Sequence, residues 1–241
     1  MTELFADVAQ LSLPVMLITV RDFEFELSPD KALYWPAKKI LMVADLHLGK
    51  INHFRMSGVA VPARANDTNT TMLIDLVNRY RPERVIFLGD LFHSHYNPEW
   101  EVLGQVVRHF THCSFELVMG NHDIMSELQY ERHGMIMHQS LQLETLLLTH
   151  IQVEQCDPGQ YNLAGHIHPG AKLFGKGRQA LVLPCFHFGE QVGVLPAFGS
   201  FTGLFPVRPK RDDRVFVIAG DSIIEVSNGA PVQQRAGSRA S

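Results

Sequence analysis

The sequence is poor in cysteine and has no thiol pair spaced to hold a metal ion. Its three cysteines, Cys113, Cys156 and Cys185, are scattered, and no CxxC spacing occurs. This argues against a disulfide framework and against a thiolate zinc site. Reduced thiols are typical of proteins kept in a reducing compartment, so the cysteine content favours a cytoplasmic protein.

Long apolar runs and a strong charge of either sign are also missing. The first apolar stretch, residues 13–20, is too short to span a bilayer, and we predict that it forms a strand. An acidic segment precedes it, so we expect no targeting sequence and no membrane partner. The net charge of -4 argues against a strongly basic nucleic-acid-binding protein but leaves a local basic patch open.

The first half of the sequence alternates apolar runs with helix-like segments. The runs at 40–45, 84–90 and 115–121 are rich in Val, Ile, Leu and Phe, as strands covered on both faces are. Between them, residues 67–80 and 98–110 place apolar side chains three and four positions apart, as amphipathic helices do. This β-α-β-α-β order predicts a mostly parallel central sheet.

The second half predicts strands with few helices between them. We therefore expect a second, more antiparallel sheet packed on the first, with a Gly220-Asp221 turn and a long loop at 198–213. Residues 1–226 would form a single domain, and the small, polar segment 227–241 would be a disordered tail. The predicted strands are 143–150, 179–185, 191–197 and 214–226.

Polar side chains that can bind metal ions follow five of the apolar runs. Because ligands collect at the carboxyl ends of parallel strands, all five clusters could converge on one rim. Taken singly, each has a plainer interpretation: Asp45 as a helix cap or turn residue, and His150 as a hydrogen-bonded core histidine. The joint pattern D-x-H, G-D, G-N-H-D, a late His and G-H-x-H favours one metal site. The positions are Asp45, His47, Asp90, Asn121, His122, His150, His166 and His168.

The types of donor atom indicate which metals would bind. With His122 left aside, the set contains two carboxylates, one amide oxygen and four imidazoles. Two divalent ions that share one bridging carboxylate would use all of them. A set of this kind without thiolate favours Mn, Fe or Zn over Ca or Mg. Two ions about 3.5–4 Å apart form the usual clamp for phosphoester hydrolysis, in which one ion lowers the pKa of a bound water to about 7.

The order of these motifs resembles the calcineurin-like metallophosphoesterase superfamily over residues 40 to about 170. The resemblance implies an α/β fold, a four-layer α/β/β/α sandwich of two mixed sheets. It also implies that two divalent metal ions, most simply Mn, are the cofactors. The implied ligands are Asp45, His47 and His168 for the first ion, Asn121, His150 and His166 for the second, and Asp90 as the bridge.

The resemblance gives His122 a catalytic role beside the bridging Asp90. His122 would not bind metal; it would contact the phosphate and protonate the leaving oxygen, because an imidazolium supplies both a proton and a positive charge. Its neighbour Asp123 could orient His122 or cap the following helix, and we favour the helix cap.

Two further segments, 44–62 and 181–203, resemble one subgroup, the bacterial ligase-associated DNA damage response endonuclease. The second segment carries the motif LPAFGSFTG. The subgroup implies a phosphodiesterase that acts on DNA in repair and is functionally linked to a helicase and a DNA ligase. In the first segment the resemblance is carried by Lys50, Phe54, Arg55, Gly58 and Pro62.

Several polar residues near these motifs are candidates for binding substrate. Lys50 and Arg55 could hold a phosphodiester beside the metals, although a solvated loop explains them equally well. His93 and His95, followed by Tyr96, come directly after Asp90 and are expected to line the substrate side.

Two later basic groups could also contact nucleic acid. The first could track a nucleic-acid backbone, but we favour a flexible exposed loop. The second follows phenylalanines, and cations beside aromatics can hold single-stranded nucleic acid, but we favour packing or dimerisation for the phenylalanines. The groups are Lys172, Lys176 and Arg178, and Arg208, Lys210, Arg211 and Arg214 downstream of Phe198, Phe201 and Phe205.

The sequence therefore favours a phosphodiesterase that uses two metal ions and acts on DNA as a nuclease or end-processing enzyme. A phosphatase, or a phosphodiesterase for small or cyclic nucleotides, remains an alternative. A non-catalytic scaffold that binds repair enzymes is a third hypothesis, and the presence of every expected ligand argues against it. A homodimer stays open.

Overall fold

The computed structural model describes residues 15–49, 65–92, 98–175, 179–200 and 202–226. The predicted tail at 227–241 lies outside these ranges. So do four predicted substrate residues, Lys50, Arg55, His93 and His95.

Among the described residues, the first sheet has seven strands that pair in the order of the chain. Strands β1 to β4 are antiparallel to one another, whereas β4 to β7 run parallel. This confirms the predicted parallel centre, since β4, β5 and β6 are the three apolar runs of the first half. The strands are β1 Met16–Val20, β2 Phe23–Ser28, β3 Ala32–Trp35, β4 Ile40–Ala44, β5 Arg84–Leu88, β6 Ser114–Val118 and β7 Met135–His138.

The second sheet has nine strands within the same described ranges and is mixed. Strand β10 runs parallel to β9 and β13, and β11 runs parallel to β14, while the other pairs are antiparallel. The predicted Gly220-Asp221 turn joins β15 to β16. The strands are β8 Leu141–Leu143, β9 Leu146–Leu148, β10 Tyr161–Ala164, β11 Pro169–Phe174, β12 Ala180–Phe188, β13 Val192–Val194, β14 Phe205–Pro206, β15 Arg214–Ala219 and β16 Ser222–Val226.

In the part of the chain that the structure describes, three α-helices cover the first sheet: α1 Ala65–Tyr80, α2 Pro98–His109 and α3 Glu127–Glu131. The first two confirm the predicted helices, and a 3-10 turn at Pro36–Lys38 precedes β4. Within the described ranges, no helix is long and apolar enough to cross a membrane.

Two apolar cores hold the layers together. The first lies between the helices and the first sheet, where Leu76 and Leu103 pack with Phe87. The second lies between the two sheets, where Ile86 meets Phe186. The sandwich of two mixed sheets is therefore confirmed. On the outer face of the second sheet, the described residues form a small apolar cluster and no helix; its members are Ala171, Cys185, Val215 and Val217.

The predicted bounds of two strands and the prediction of one loop in the second half were wrong. The run 143–150 is a hairpin, because Glu144 takes a positive φ of 55° and turns the chain so that Leu143 pairs with Leu146. The run 191–197 forms a strand only at Val192–Val194, and the predicted loop at 198–213 contains the short strand β14. Apolar runs show where buried chain lies but do not show where it turns.

Candidate metal centre

The predicted ligands lie where parallel strands of the two sheets end. Asp45, Asp90 and Asn121 follow β4, β5 and β6 of the first sheet. His150 follows β9, and His166 follows β10 of the second sheet. The two sheets meet at this edge, since Ala44 and Ala197 form an isolated parallel bridge. The structure thus brings the predicted ligands together at one edge of the two sheets, as the sequence predicts.

The first group consists of Asp45, His47 and His168, whose ligand atoms lie within 4.8 Å of one another. The Nε2 atoms of His47 and His168 are 3.3 Å apart, and Oδ1 of Asp45 is 3.6 Å from Nε2 of His168. Asp45 and His47 are buried, and His168 is half-buried. A divalent ion fits this set of one carboxylate and two imidazoles.

The second group consists of Asp90, His150 and His166, again with ligand atoms within 4.8 Å. Nδ1 of His166 is 3.1 Å from Nε2 of His150, and Oδ1 of Asn121 is 3.0 Å from the same nitrogen. Asn121 and His166 are exposed. The second group is therefore the side of the centre that opens to solvent.

Asp90 lies between the two groups and faces both. Its Oδ2 is 3.9 Å from Nε2 of His47, and its Oδ1 is 3.4 Å from Nε2 of His150. The backbone N–H of His122 donates to the same Oδ1 at 2.9 Å. Asp90 therefore has the position that a bridging ligand requires.

The tautomer of His150 tests whether a cation fits the second group. Its Nδ1 lies 3.0 Å from the carbonyl oxygen of Leu88, which only accepts, so Nδ1 carries the proton. In neutral His150 the lone pair of Nε2 then faces Oδ1 of Asn121, so two acceptor atoms face each other with no proton between them. A cation stabilises such an arrangement, and a hydrogen-bonded second ring nitrogen is usual for metal-binding histidines.

The two buried carboxylates, Asp45 and Asp90, also indicate that cations fit this centre. Among the described residues, no lysine or arginine forms an ion pair with Asp45 or Asp90. A buried negative charge is unfavourable unless it is paired or bound to a metal. Two divalent ions would supply that positive charge.

The backbone at the centre is strained. A non-glycine residue in the left-handed region costs about 1–3 kcal/mol and persists where the surroundings enforce it. Five of the seven predicted ligands have a positive φ, namely Asp45, His47, Asp90, His166 and His168.

Three glycines allow the ligand-bearing loops to approach closely, and each directly precedes a ligand. A Cβ on Gly89 would lie 2.1 Å from Nδ1 of His150. One on Gly120 would lie 2.3 Å from the backbone nitrogen of Asp90, and one on Gly165 2.7 Å from Oδ2 of Asp45. The G-D, G-N-H-D and G-H-x-H motifs thus contain the glycines because a side chain there would displace a ligand of another strand.

Asp123 does not have the predicted helix-capping role. The residue at the start of α3 is Ser126, whereas the carboxylate of Asp123 accepts backbone N–H bonds from Leu91 at 3.0 Å and Gly120 at 2.9 Å. It therefore fastens the loop after β6 to the loop after β5. Burial raises the pKa of this carboxyl to about 6, and the nearby charge of Asp90 acts in the same direction.

The later basic groups have different surroundings. Arg214 pairs with Glu225 and donates to the carbonyl oxygen of Thr19, which gives it a structural role. Phe198 is fully buried in the first core, as packing predicts, while Phe205 is exposed. Lys172 is exposed, and its Nζ lies 5.3 Å from the ring centre of Phe174. Lys176, Arg178 and Phe201 lie outside the described residues.

Comparison with known proteins agrees with the geometry. The sequence model of the calcineurin-like phosphoesterase family matches residues 38–221. A solved structure, that of Pseudomonas putida nuclease MPE, is 29% identical with a TM-score of 0.74, over 88% of this chain and 100% of that one. The E. coli phosphoesterase Yfce is 15% identical with a TM-score of 0.42, over 78% and 98% of the two chains. Among curated proteins, no match was found.

The family match covers well over half of the chain and contains all seven predicted ligands. The two groups of donors agree with a family whose members hydrolyse phosphoesters with the help of divalent metals. The chain is a metal-dependent phosphoesterase and belongs to the calcineurin-like phosphoesterase family.

Proposed function

We propose that this protein is a phosphodiesterase that uses two metal ions to cut nucleic acid, with DNA as the substrate in repair. The observation that carries the proposal is the position of Asp90, whose two carboxylate oxygens face the two donor groups. Two ions held by a shared carboxylate are the arrangement used for in-line displacement at phosphorus. The resemblance to a nuclease supports nucleic acid as the substrate class.

The first ion would be held by Asp45, His47 and His168, with Asp90 shared. The second would be held by Asn121, His150 and His166. Donors of this type, without thiolate, favour Mn, with Fe or Zn as the other candidates. When bound, the ions supply Lewis-acid polarisation of the phosphoryl oxygens and lower the pKa of a coordinated water.

His122 would act at the open side of the centre. It is half-buried, its ring centre is 5.7 Å from that of His47, and its backbone is fixed by the bond to Asp90. In hydrolysis, a water oxygen bonds to phosphorus, the ester P–O bond breaks, and the proton lost by water returns to solvent. The imidazolium of His122 would give its proton to the leaving oxygen and would otherwise stabilise the phosphate charge.

The β11–β12 hairpin supports a polymeric substrate. It begins at Pro169, directly after His168, and carries the exposed pair of Lys172 and Phe174. At 3.3 Å per residue, Phe174 lies about 16 Å along the strand from Pro169, a distance of a few nucleotides. A cation and an exposed ring offer a phosphate contact and a stacking surface for a base.

Hydrolysis of a panel of substrates with Mn tests the proposal. The panel contains an aryl phosphodiester, an aryl phosphomonoester, cyclic nucleotides, and single- and double-stranded DNA and RNA. We expect Mn-dependent cleavage of the aryl diester and of DNA, and no turnover by Asp90→Asn, which keeps the shape of the side chain but loses its charge. A wild-type protein that is inert with Mn, Fe and Zn would contradict the proposal, as would one that cleaves only monoesters or only cyclic nucleotides.

The hairpin provides a second comparison within the same panel. Phe174→Ala should raise KM for oligonucleotides several-fold and leave the kinetics of the small aryl diester unchanged, because a small substrate does not reach the hairpin. Equal effects on both substrates, or no effect on either, would argue against a strand of nucleic acid lying along this surface. The helicase and DNA ligase partners rest on the subgroup resemblance alone.

A further inference from the structure

The chain segment that carries Asp45 and His47 is held from both sides. On one side its N–H groups donate to the loop after β5, with Asp45 bonded to Gly89 at 3.3 Å and His47 bonded to Asp90 at 2.9 Å. On the other side its carbonyl groups accept from a segment that the structure describes at residues 197–200 and 202–205, which we name the 197–205 loop. Phe198 donates to the carbonyl of Ala44 at 2.8 Å, and Gly199 donates to that of Asp45 at 3.1 Å.

Gly199 is required for this approach. A Cβ at this position would lie 2.8 Å from the carbonyl oxygen of Leu46 and 3.2 Å from that of Asp45. The preceding Phe198 is buried in the first core and anchors the loop. The loop therefore packs on the backbone of the ligand segment and has no room for a larger residue at its point of contact.

Asn69 of helix α1 forms hydrogen bonds to both the ligand segment and the 197–205 loop. Its Nδ2 donates to the carbonyl of Leu46 at 3.5 Å, and its Oδ1 accepts from the backbone N–H of Ser200 at 3.2 Å and from its hydroxyl at 2.6 Å. The backbone N–H of Ser200 can only donate, so the amide orientation is fixed by its partners. Asn69 is buried on the apolar face of the helix, one turn before Leu73, and it links the ligand segment to the 197–205 loop.

The same loop also holds the third ligand of the first group. Nδ1 of His168 lies 3.2 Å from the carbonyl oxygen of Gly203, so the proton sits on Nδ1 and Nε2 faces the centre. Phe205 donates to the carbonyl of His168 at 2.9 Å. The hydroxyl of Thr202 donates to the carbonyl of Gly199 at 3.1 Å and joins the two halves of the loop.

We infer that the 197–205 loop and Asn69 form a positioning element for the first metal site: they hold Asp45, His47 and His168 in place. They reach the second site only indirectly, since the carboxylate of Asp45 accepts the backbone N–H of His166 at 2.9 Å. Within the described parts of the chain, no hydrogen bond joins this loop or Asn69 to a ligand of the second group. The inference rests on the proposal that the two donor groups bind metal ions. It gives the LPAFGSFTG motif a task other than substrate binding.

Backbone strain at the first group explains why its ligands need a positioning element. All three ligands have a positive φ, and such conformations persist only where surrounding contacts enforce them. Loss of the contacts lets the segment relax away from the geometry that the ion needs. Residues that orient metal ligands typically contribute about 10–100-fold in metal affinity.

Calorimetric titration of the metal-free protein with Mn tests the inference without any substrate. Asn69→Ala keeps a good helix former in α1 but removes all three hydrogen bonds. We expect it to weaken one of the two Mn sites by about 10–100-fold and the other much less. In a His166→Ala chain, where the first site remains, Asn69→Ala should weaken Mn binding by this full factor. In a His168→Ala chain, where the second site remains, Asn69→Ala should weaken Mn binding by a much smaller factor.

Two further variants keep the result interpretable. Ile18→Ala removes buried carbon atoms from β1, three strands away from β4, and controls for general loss of stability. Ser200→Ala changes an exposed residue, so it folds even if Asn69→Ala does not, and it should weaken the same single site less strongly.

Unchanged affinity at both sites in Asn69→Ala and Ser200→Ala would overturn the inference. An equal weakening of both sites, as a general loss of stability would give in Ile18→Ala, would overturn it too. Failure of the wild-type protein to bind two Mn ions would instead contradict the proposed metal centre itself.

Discussion

At the scale of single residues, Asp90 is the position on which the two halves of the centre depend. Its carboxylate is buried, faces a histidine of each group and accepts the backbone N–H of His122. In the proposed mechanism, the same residue would supply the shared negative charge and hold the backbone of the proposed acid, His122. The chemistry of His122 can then be separated from metal binding by mutation.

His122→Ala should retain two metal ions and lower the rate by about 10²–10⁴ for a diester with a poor leaving group, the usual range for a lost general acid. An activated aryl leaving group needs no protonation and should lose much less. Elemental analysis measures the metal content of the variant, and hydrolysis rates of the two kinds of diester measure its loss of activity. An equal loss with both leaving groups would assign His122 to phosphate stabilisation, and loss of metal would assign it to the ligand set.

The sequence predicted that the seven proposed metal ligands would lie close together, because each follows an apolar run. Hydrophobic runs locate strand ends, and strand ends in a parallel sheet converge. Asn69 could not be found in this way, although one signal was present: it is a polar residue on the apolar stripe that includes Leu73 and Leu76. Asp123 was misassigned because its partners, such as Leu91, are distant in sequence.

At the scale of elements, the loops after β5 and β6 are packed so closely that glycine is required between them. Gly120→Ala would place its Cβ 2.3 Å from the backbone nitrogen of Asp90, which cannot move without displacing the ligand. We expect a loss of about 1–3 kcal/mol in the free energy of unfolding, the range for overpacking, together with weaker metal binding.

Gly175→Ala is the matched control for this change. A Cβ on Gly175 would meet its nearest atom at 3.7 Å, an ordinary contact, so stability should stay within about 0.5 kcal/mol of wild type. Urea unfolding measures both variants. Equal stability of the two would show that the close packing of the loops is not required.

The neighbouring strands β5, β6 and β7 are joined by a buried charge. Glu116 accepts two hydrogen bonds from Arg84, at 2.6 and 2.8 Å, and faces His138 at 2.8 Å. Burial acts to raise the pKa of Glu116, but the bonds from Arg84 and His138 outweigh it and hold the pKa below its usual value.

Glu116→Gln should therefore destabilise the protein by about 2 kcal/mol at neutral pH, as loss of hydrogen bonds to a charged group does. Because the folded-state pKa is lowered, the contribution is complete above the unfolded value of about 4.3 and is lost as the pH falls through the folded pKa. Unfolding in urea from pH 7 to below pH 4 tests this. A difference between wild type and variant that grows as the pH falls would contradict it.

The turns between elements explain where sequence and structure differ. The β8–β9 hairpin depends on a positive φ at Glu144, a residue with no special preference for it, so the sequence predicts one strand over 143–150 where the chain turns. By contrast, the Gly220-Asp221 turn was recognisable because glycine favours such a conformation. The order of β4, β5 and β6 was predictable because each strand is continuously apolar.

At the scale of the whole molecule, the proposed centre joins the two sheets. Asp45, Asp90 and Asn121 come from the first sheet, whereas His150, His166 and His168 come from the second. Bound ions would therefore link the sheets at the edge where they meet and neutralise two buried carboxylates. Metal binding should stabilise the fold as well as enable the chemistry.

Removal of metal by a chelator should lower Tm by about 5–10 °C per ion lost. An ion at 100 times its Kd contributes about 2.7 kcal/mol, and each kcal/mol shifts Tm by about 2–4 °C in a chain of this size. Scanning calorimetry before and after chelation measures the shift, and added Mn should reverse it. Asp90→Asn is the control, and a shift as large as that of wild type would argue that the ions bind elsewhere.

Anomalous diffraction from crystals soaked in Mn tests whether two ions share the carboxylate of Asp90. We predict two anomalous peaks about 3.5–4 Å apart with Asp90 between them, one beside His47 and His168 and the other beside Asn121 and His166. A single peak, two peaks that do not share Asp90, or ions bound away from this edge of the sheets would contradict the proposed metal centre.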